Sequence, residues 1–276
     1  LEFDNVLKSA IDLAEQGLPV DWFTNLQISL TAAGLSKFKA SSDVYLPSGF
    51  PPQPEQTLDL GNLKKTLRSL AENGPDEFYR GSIANELVAD LNEGGSRISL
   101  EDLHDYVSLE SEPLIGKHRG HELYTPGVTS GGQRLNEALE YVEKNLNYSD
   151  PFGANTYIVY AKALNKAFKS HKEKLGRTIN YGCTSHMSAV DSDGNMVSLT
   201  YTLLNRFGSK VVLPRTGVLM NNSVSYFDPR PGYPTSMSGG KRINSSNMCP
   251  TVCVESGEAK FAVGASGANH IVPCTM

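Results

Sequence analysis

Apolar positions recur at helical spacing through the first two-thirds of the chain and alternate through the last third. In FDNVLKSAIDLAEQG, Phe3, Val6, Leu7, Ala10, Ile11 and Ala14 share one face, which predicts an amphipathic helix, and not a signal segment, stopping at Gly17. The proline- and serine-rich stretch LPSGFPPQPEQ, residues 46–56, predicts an exposed loop. NLKKTLRSLAENG predicts a helix ended by Gly74, and Pro75 opens another that runs to Gly94-Gly95. Ser99, three residues before Asp102, predicts a capped start to a short helix. ELYTPGVTSGGQRLNEALEYVEKNL predicts a short strand, a glycine-rich turn and a helix from about Gln133, and a further helix covers about Thr156 to Lys174. After Gly182, short alternating runs punctuated by Gly, Asn and Pro predict strands. Helices first and strands afterwards predict α+β layering rather than alternating βαβ units.

CTSHMSAVDSDGNMVSLTYTLL, from Cys183 to Leu204, predicts a hairpin around the loop Ser192-Asp193-Gly194, with glycine in the left-handed position. Asp191 then pairs with Asn195 and Thr184 with Thr202. Met187, Ala189, Val197, Leu199, Tyr201 and Leu203 face one way. Thr184, His186 and Ser188 face the other, opposite Thr202, Thr200 and Ser198. A register shifted by one would set hydroxyls against hydrophobes along the whole ladder. On pattern alone, these threonines and serines also suit a strand whose hydroxyls face water.

The chain has 276 residues and ordinary apolar and charged fractions, which exclude disordered and fibrous classes. A formal net charge of −5 gives no basic surface for nucleic acid or anionic lipid. No apolar run approaches the ~20 residues that span a bilayer. Cys183, Cys249, Cys253 and Cys274 have no CxxC spacing and no histidine pair at zinc-finger distance. His118 and His121, at i, i+3 on a loop or strand, lack the i, i+4 helical arrangement of a metal site. TPGVTSGG, residues 125–132, shares glycines with a phosphate loop but lacks its lysine. Asp191, Asp193 and Asn195 form a turn with no downstream bidentate glutamate for calcium.

TSHMSAVDSDGNMVSLTYT resembles the Thr-Thr-His-x-Ser motif and following hairpin of the γ-glutamyltranspeptidases, with Ser185 in place of the second threonine. The resemblance continues in family order through FGSKVVLPRTGVLMNN, KRINSSNMCPTV and FAVGASGANHI. Upstream, DEFYRGSIANELV, ISLEDLHDYV and EPLIGKHRGHELYTPGVTSGGQRL resemble the carboxyl-terminal half of the large subunit. It implies an N-terminal-nucleophile hydrolase with a four-layer αββα sandwich. Residues 1–183 would belong to the large-subunit region and 184–276 to the small-subunit region, in one intertwined domain. Self-cleavage before Thr184 would create the nucleophile. Its freed α-amine, with a pKa near ~8, would act as base on the same residue. Thr202 would bond the nucleophile's hydroxyl, and Gly267 and Ala268 would offer backbone N–H groups to the oxyanion. That hole survives the glycine-to-alanine change unless residue 268 needs positive φ.

The resemblance further implies that Ser246 and Asn247 hold the donor's carboxylate. The positions that hold its α-amino group in the family carry Leu204, Ser223 and Tyr226, which offer an ammonium little. Asn205 adjoins Leu204, but strand alternation would turn it to the opposite face. His186 is expected to be hydrogen-bonded and partly buried, not the base. The implied substrate is a γ-glutamyl or related amide, with a dicarboxylic side-chain amide as the same-fold alternative and an uncleaved scaffold as the other. No metal or organic cofactor is needed, and the implied partners are the two processed subunits of a heterodimer and further copies in a homo-oligomer. The family's carboxylate-clamping arginine and part of its central sheet precede the position of Leu1, and more sequence follows that of Met276, so the chain is expected to be partial.

Overall fold

The amphipathic stretch at the amino terminus forms α1 (Phe3–Gln16), ended by Gly17 at φ 88°. The computed structural model describes residues 2–127, 129–148, 150–176, 182–238 and 246–276. Val128, residues 177–181 ahead of the Cys183–Thr184 bond, and residues 241–245 of the KRINSS block lie outside them.

Two compact units share the chain: residues 1–109 with 206–221, and residues 110–205 with 222–276. In the first, α1 is followed by β1 (Leu18–Pro19), α2 (Trp22–Leu35), α3 (Lys39–Tyr45), β2 (Thr57–Leu58) and α4 (Leu63–Asn73), against which α1 packs. α5 (Asp76–Arg80), α6 (Ser82–Glu93) and α7 (Leu100–His104) complete it. α7 carries the expected capping box between Ser99 and Asp102. The single helix expected from Pro75 to Gly94 is instead broken at Gly81, whose backbone is extended. Glu77 causes the break by accepting from the Ser82 N–H and hydroxyl, capping a second helix. α2, for which the periodicity gave no prediction, starts at Asp21, which accepts from the Thr24 N–H at 2.7 Å. Its apolar residues surround the helix: Ile28 and Leu35 are buried while Trp22, Phe23 and Leu30 are exposed.

Residues 206–221 return to this unit and are held by buried polar contacts. The Ser41 hydroxyl donates to the Lys210 carbonyl at 2.7 Å and accepts from the Val212 N–H at 2.9 Å. The Thr66 hydroxyl donates to the Thr216 carbonyl at 2.7 Å. Buried Asp90 accepts from the Arg215 N–H at 2.9 Å and pairs with its guanidinium.

The second unit is layered. β3 (Leu114–His118), β4 (His121–Thr125), β7 (Thr251–Glu255) and β8 (Glu258–Val263) form one antiparallel sheet in that order. α8 (Gly131–Asn145) packs on β3 and β4, and α9 (Ala154–Leu175) packs on α8. Small residues at the α8–α9 contact, Ala138, Ala163 and Ala167, let the helices approach closely. Leu123, Leu135, Leu139, Cys249, Cys253, Ile271 and Val272 fill the core beneath α8 and the terminal α10 (Ile271–Thr275). β5 (Cys183–Val190) and β6 (Met196–Leu204) form a separate hairpin that contacts β7 and β8. The architecture is a mixed α+β fold, and among the described residues no helix is long and apolar enough to cross a membrane.

Ser41→Ala removes one hydroxyl and strands a half-buried carbonyl and a buried N–H. We expect it to cost about 2 kcal/mol in urea unfolding.

Candidate active site

The hairpin register is the one read from the sequence: Thr184 opposes Thr202, His186 opposes Thr200 and Ser188 opposes Ser198. The turn sets it. Gly194 takes φ 82°, Asp191 N–H bonds Asn195 O at 3.1 Å, and the Asp191 carboxylate accepts from Asp193 and Asn195. Those bonds hold the Asp191 carboxyl below its ordinary pKa.

The hydroxyl face is only partly open to water: Thr184, His186, Ser198, Thr200 and Thr202 are half-buried and Ser188 is exposed. Ser198 donates to Val263 O at 3.0 Å and accepts from Thr251 N–H at 3.1 Å, so this face lies on β7 and β8. The opposite, apolar face is the exposed one, with Met187, Val197, Leu199 and Tyr201 each about half accessible. His186 is hydrogen-bonded on both ring nitrogens, to Thr200 at 2.8 Å and Ser188 at 3.0 Å, and burial lowers its pKa.

At the open end of the hairpin the ladder slips by one residue at Cys183/Thr184, and Leu204 takes φ 74°. A non-glycine residue in the left-handed region is strained by about 1 kcal/mol or more. The Thr202 hydroxyl lies within this bulge. It donates to the Cys183 carbonyl at 2.6 Å, accepts from the Leu204 N–H at 2.8 Å, and receives the Thr184 hydroxyl at 3.4 Å. Its one proton and both lone pairs are engaged. Thr184 Oγ1, Thr202 Oγ1 and the carbonyl ahead of Thr184 form one connected group.

The 3₁₀ turn Ala268–His270 reaches the same neighbourhood. A Cβ built on Gly182 would lie 3.1 Å from Leu204 O and 3.4 Å from the Ala268 methyl. Gly267 has φ 113° and Ala268 has φ 52°. Residue 268 therefore does adopt positive φ, and the alanine there carries backbone strain that a glycine would not.

Ser246 and Asn247 lie against the amino-terminal end of α8. Ser246 N–H bonds Thr129 O at 3.1 Å, and its hydroxyl is 3.3 Å from that of Ser130. Asn247 is buried, takes the Arg134 guanidinium on Oδ1 at 2.8 Å, and donates from Nδ2 to Asn269 Oδ1 at 3.1 Å. Gly131 owes its place to this close approach, whereas Gly132 packs on Pro126 and Thr125. A Cβ at Gly131 would lie 2.7 Å from Asn247 O and 2.9 Å from Met248 O.

Leu204 is buried against Tyr226, which ends the 3₁₀ turn beginning at Ser223. Burial raises the Tyr226 phenol's pKa. The left-handed Leu204 interrupts strand alternation, so Asn205 is not turned to the opposite face by the two-residue period. Asn205 N–H bonds Asn222 Oδ1 at 3.0 Å, and its own Oδ1 is buried with no partner among the described residues.

The structure thus brings Thr184 to Thr202, Ala268 to Gly182, and Asn247 to Asn269. Sequence reasoning missed Arg134, Ser130 and Asn269; the paired glycines before Arg134 were the available sign of a close contact. His118 and His121 end β3 and open β4, opposite each other, and approach Glu143 and Glu255, not a shared ligand. Among the described residues no group of three or more His, Cys, Asp or Glu is placed to hold a metal ion, and the four cysteines are unpaired.

The family profile described as Gamma-glutamyltranspeptidase matches residues 1–178 and 161–276. The chain is similar over its whole length to the glutathione hydrolase proenzyme of Escherichia coli K12, at 30% identity and covering 57% of that protein. It is 29% identical to the acylase ACY 1 proenzyme of Pseudomonas sp. V22, covering 56% of it. It spans a little over half the length of these relatives. The crystal structure of cephalosporin acylase from Bacillus halodurans superposes with a TM-score of 0.86, covering 99% of this chain and 57% of that one, at 23% identity, which speaks for the fold.

Gly131→Ala must push the 246–249 segment off α8. We expect a loss of about 1–3 kcal/mol in thermal or urea unfolding.

Proposed function

The chain belongs to the gamma-glutamyltranspeptidase family, and from that premise we propose that it forms the core of a self-processing N-terminal threonine acyltransferase or hydrolase. One observation carries the reading: the Thr202 hydroxyl bridges the Thr184 hydroxyl and the Cys183 carbonyl. Thr184 Oγ1 attacks the Cys183 carbonyl carbon and passes its proton to Thr202. Thr202 gives its own proton to the developing oxyanion. The C–N bond then breaks, the nitrogen takes up a proton, and Cys183 is left as an ester on Thr184. Water hydrolyses the ester, releasing a Cys183 carboxyl group and a Thr184 with free amine and hydroxyl.

In turnover the neutral amine accepts the hydroxyl proton as Thr184 attacks an amide carbonyl. The N–H groups of Gly267 and Ala268 receive the oxyanion, and Ser246 with Asn247 holds the polar end of the donor. The leaving amine takes the proton, and water or an acceptor amine removes the acyl group. Residues 1–183 and 184–276 become the two subunits of a heterodimer, whose further association into a homo-oligomer is also open to this reading. The two compact units each draw on both sides of residue 184, which suits subunits that stay intertwined after cleavage. The complete fold on this reading is the four-layer αββα sandwich. The helix pair α8–α9, the four-stranded sheet and the hairpin supply three layers, and the exposed apolar face of the hairpin accepts the fourth.

The donor is a γ-glutamyl or related amide, glutathione-like in its simplest form. A second reading, an acylase for donors without an α-amino group, is favoured by the buried Leu204–Tyr226 pair, since neither side chain offsets the desolvation of an ammonium.

Amino-terminal sequencing of the purified protein should find a second terminus at Thr184. Thr184→Ala should leave one continuous chain, and Thr202→Val should slow cleavage by about 10²-fold or more. A wild-type chain that stays intact on long incubation would instead mark a silent scaffold. On paired anilides, the acylase reading expects kcat/KM for the glutaryl compound to exceed that for the γ-glutamyl compound. The reverse ranking returns the assignment to a γ-glutamyl donor.

A further inference from the structure

Arg134 is 1% exposed, yet among the described residues it has no carboxylate partner. Its guanidinium donates to Asn247 Oδ1 at 2.8 Å and to the Ser246 carbonyl at 2.9 Å, and lies 5.2 Å from the centre of the Phe168 ring. Burial lowers its pKa to about 10, which leaves it charged at neutral pH. A buried charge bonded to neutral acceptors alone is costly for stability, and a leucine or methionine would fill the space under α8 without that cost.

Its directional consequence is specific. A guanidinium can only donate, so it dictates which end of the Asn247 amide faces it: Oδ1 must. Nδ2 is then turned to the other side, where it donates to Asn269 Oδ1 at 3.1 Å. Asn269 is the middle residue of the turn Ala268–His270, which follows Gly267 at φ 113° and contains Ala268 at φ 52°. A strained conformation persists only where its surroundings over-determine it. A free amide at residue 247 could rotate and present its oxygen to the oxygen of Asn269, releasing the turn. With the guanidinium in place it cannot.

We propose that Arg134 is a positioning residue for the oxyanion turn, acting through Asn247 and Asn269 to hold the Gly267 and Ala268 N–H groups in their strained orientation. This rests on the assignment of that turn made under Proposed function. It separates two steps that share a nucleophile. Self-cleavage uses the Thr202 hydroxyl at the Cys183 carbonyl and does not need the turn, whereas turnover does.

The test uses Arg134→Lys, which keeps the charge without the two-pronged donor, Arg134→Met, which keeps neither, and Asn269→Ala, which cuts the link at its far end. Each should cleave before Thr184 within about twofold of the wild-type rate. kcat should fall about 10²-fold for Arg134→Met and Asn269→Ala, and less for Arg134→Lys; KM should change little in Asn269→Ala and rise in the two Arg134 variants, whose guanidinium also sets Asn247 and Ser246. The Arg134→Met/Asn269→Ala pair should lose no more than the worse single variant, because both break one chain of contacts. Backbone amide exchange over residues 265–270 should quicken about tenfold in each variant, a readout that also works on uncleaved protein. If the wild type never cleaves, the proposed chemistry fails while the exchange measurement still decides the positioning role. Should Arg134→Met fail to fold, the other two variants decide it. Wild-type exchange at 265–270 in both Arg134→Lys and Asn269→Ala would overturn the inference. So would a fall in kcat matched by an equal fall in the rate of self-cleavage.

Discussion

Everything proposed for this chain depends on one threonine hydroxyl with no spare capacity. Thr202 Oγ1 has one proton to give and gives it to the Cys183 carbonyl; it has two lone pairs and offers them to Leu204 N–H and Thr184 Oγ1. Its two short bonds restrain the hydroxyl's rotation, so on the proposed reading Thr184 and the Cys183 carbonyl are held near each other before any chemistry begins. The arrangement exists because the ladder slips at Cys183/Thr184 and Leu204 turns left-handed. A regular ladder would pass the Cys183 carbonyl along the strand, out of line with a side chain on the facing residue.

The same hairpin reverses the usual division between core and surface. Its hydroxyl face is half-buried, tied to β7 and β8 through Ser198, and its hydrophobes are the more exposed side. On the proposed reading the hydroxyls are the working groups, and the sheet supplies them already hydrogen-bonded, so that their partial burial is not left uncompensated. The exposed apolar face is then a consequence: a strand with polar residues on one face has its apolar positions on the other.

Much of this was legible from residues. The Asp191–Asn195 turn with Gly194 set the hairpin register, because a hydroxyl face and an apolar face admit one pairing. Capping at Ser99 and the stops at Gly17 and Gly74 marked helix ends through local chemistry. The break at Gly81 was not legible, since Glu77 looks like an ordinary helix former until its carboxylate is seen capping Ser82. α2 escaped because its apolar residues surround the helix and leave no period to read. At the candidate site, the motif gave Thr184 and Thr202, but Arg134 sits 113 residues from Asn247 in sequence, and no spacing encodes that contact. The left-handed backbone at Leu204 and Ala268 was equally hidden, because neither residue type advertises positive φ.

The most direct test of the central claim is to react the protein with a slow acyl donor, quench it, and locate the adduct by peptide mass spectrometry. The account predicts an acyl group on a peptide whose first residue is Thr184. An adduct on another residue, or on a peptide still continuous through Cys183–Thr184, would contradict it.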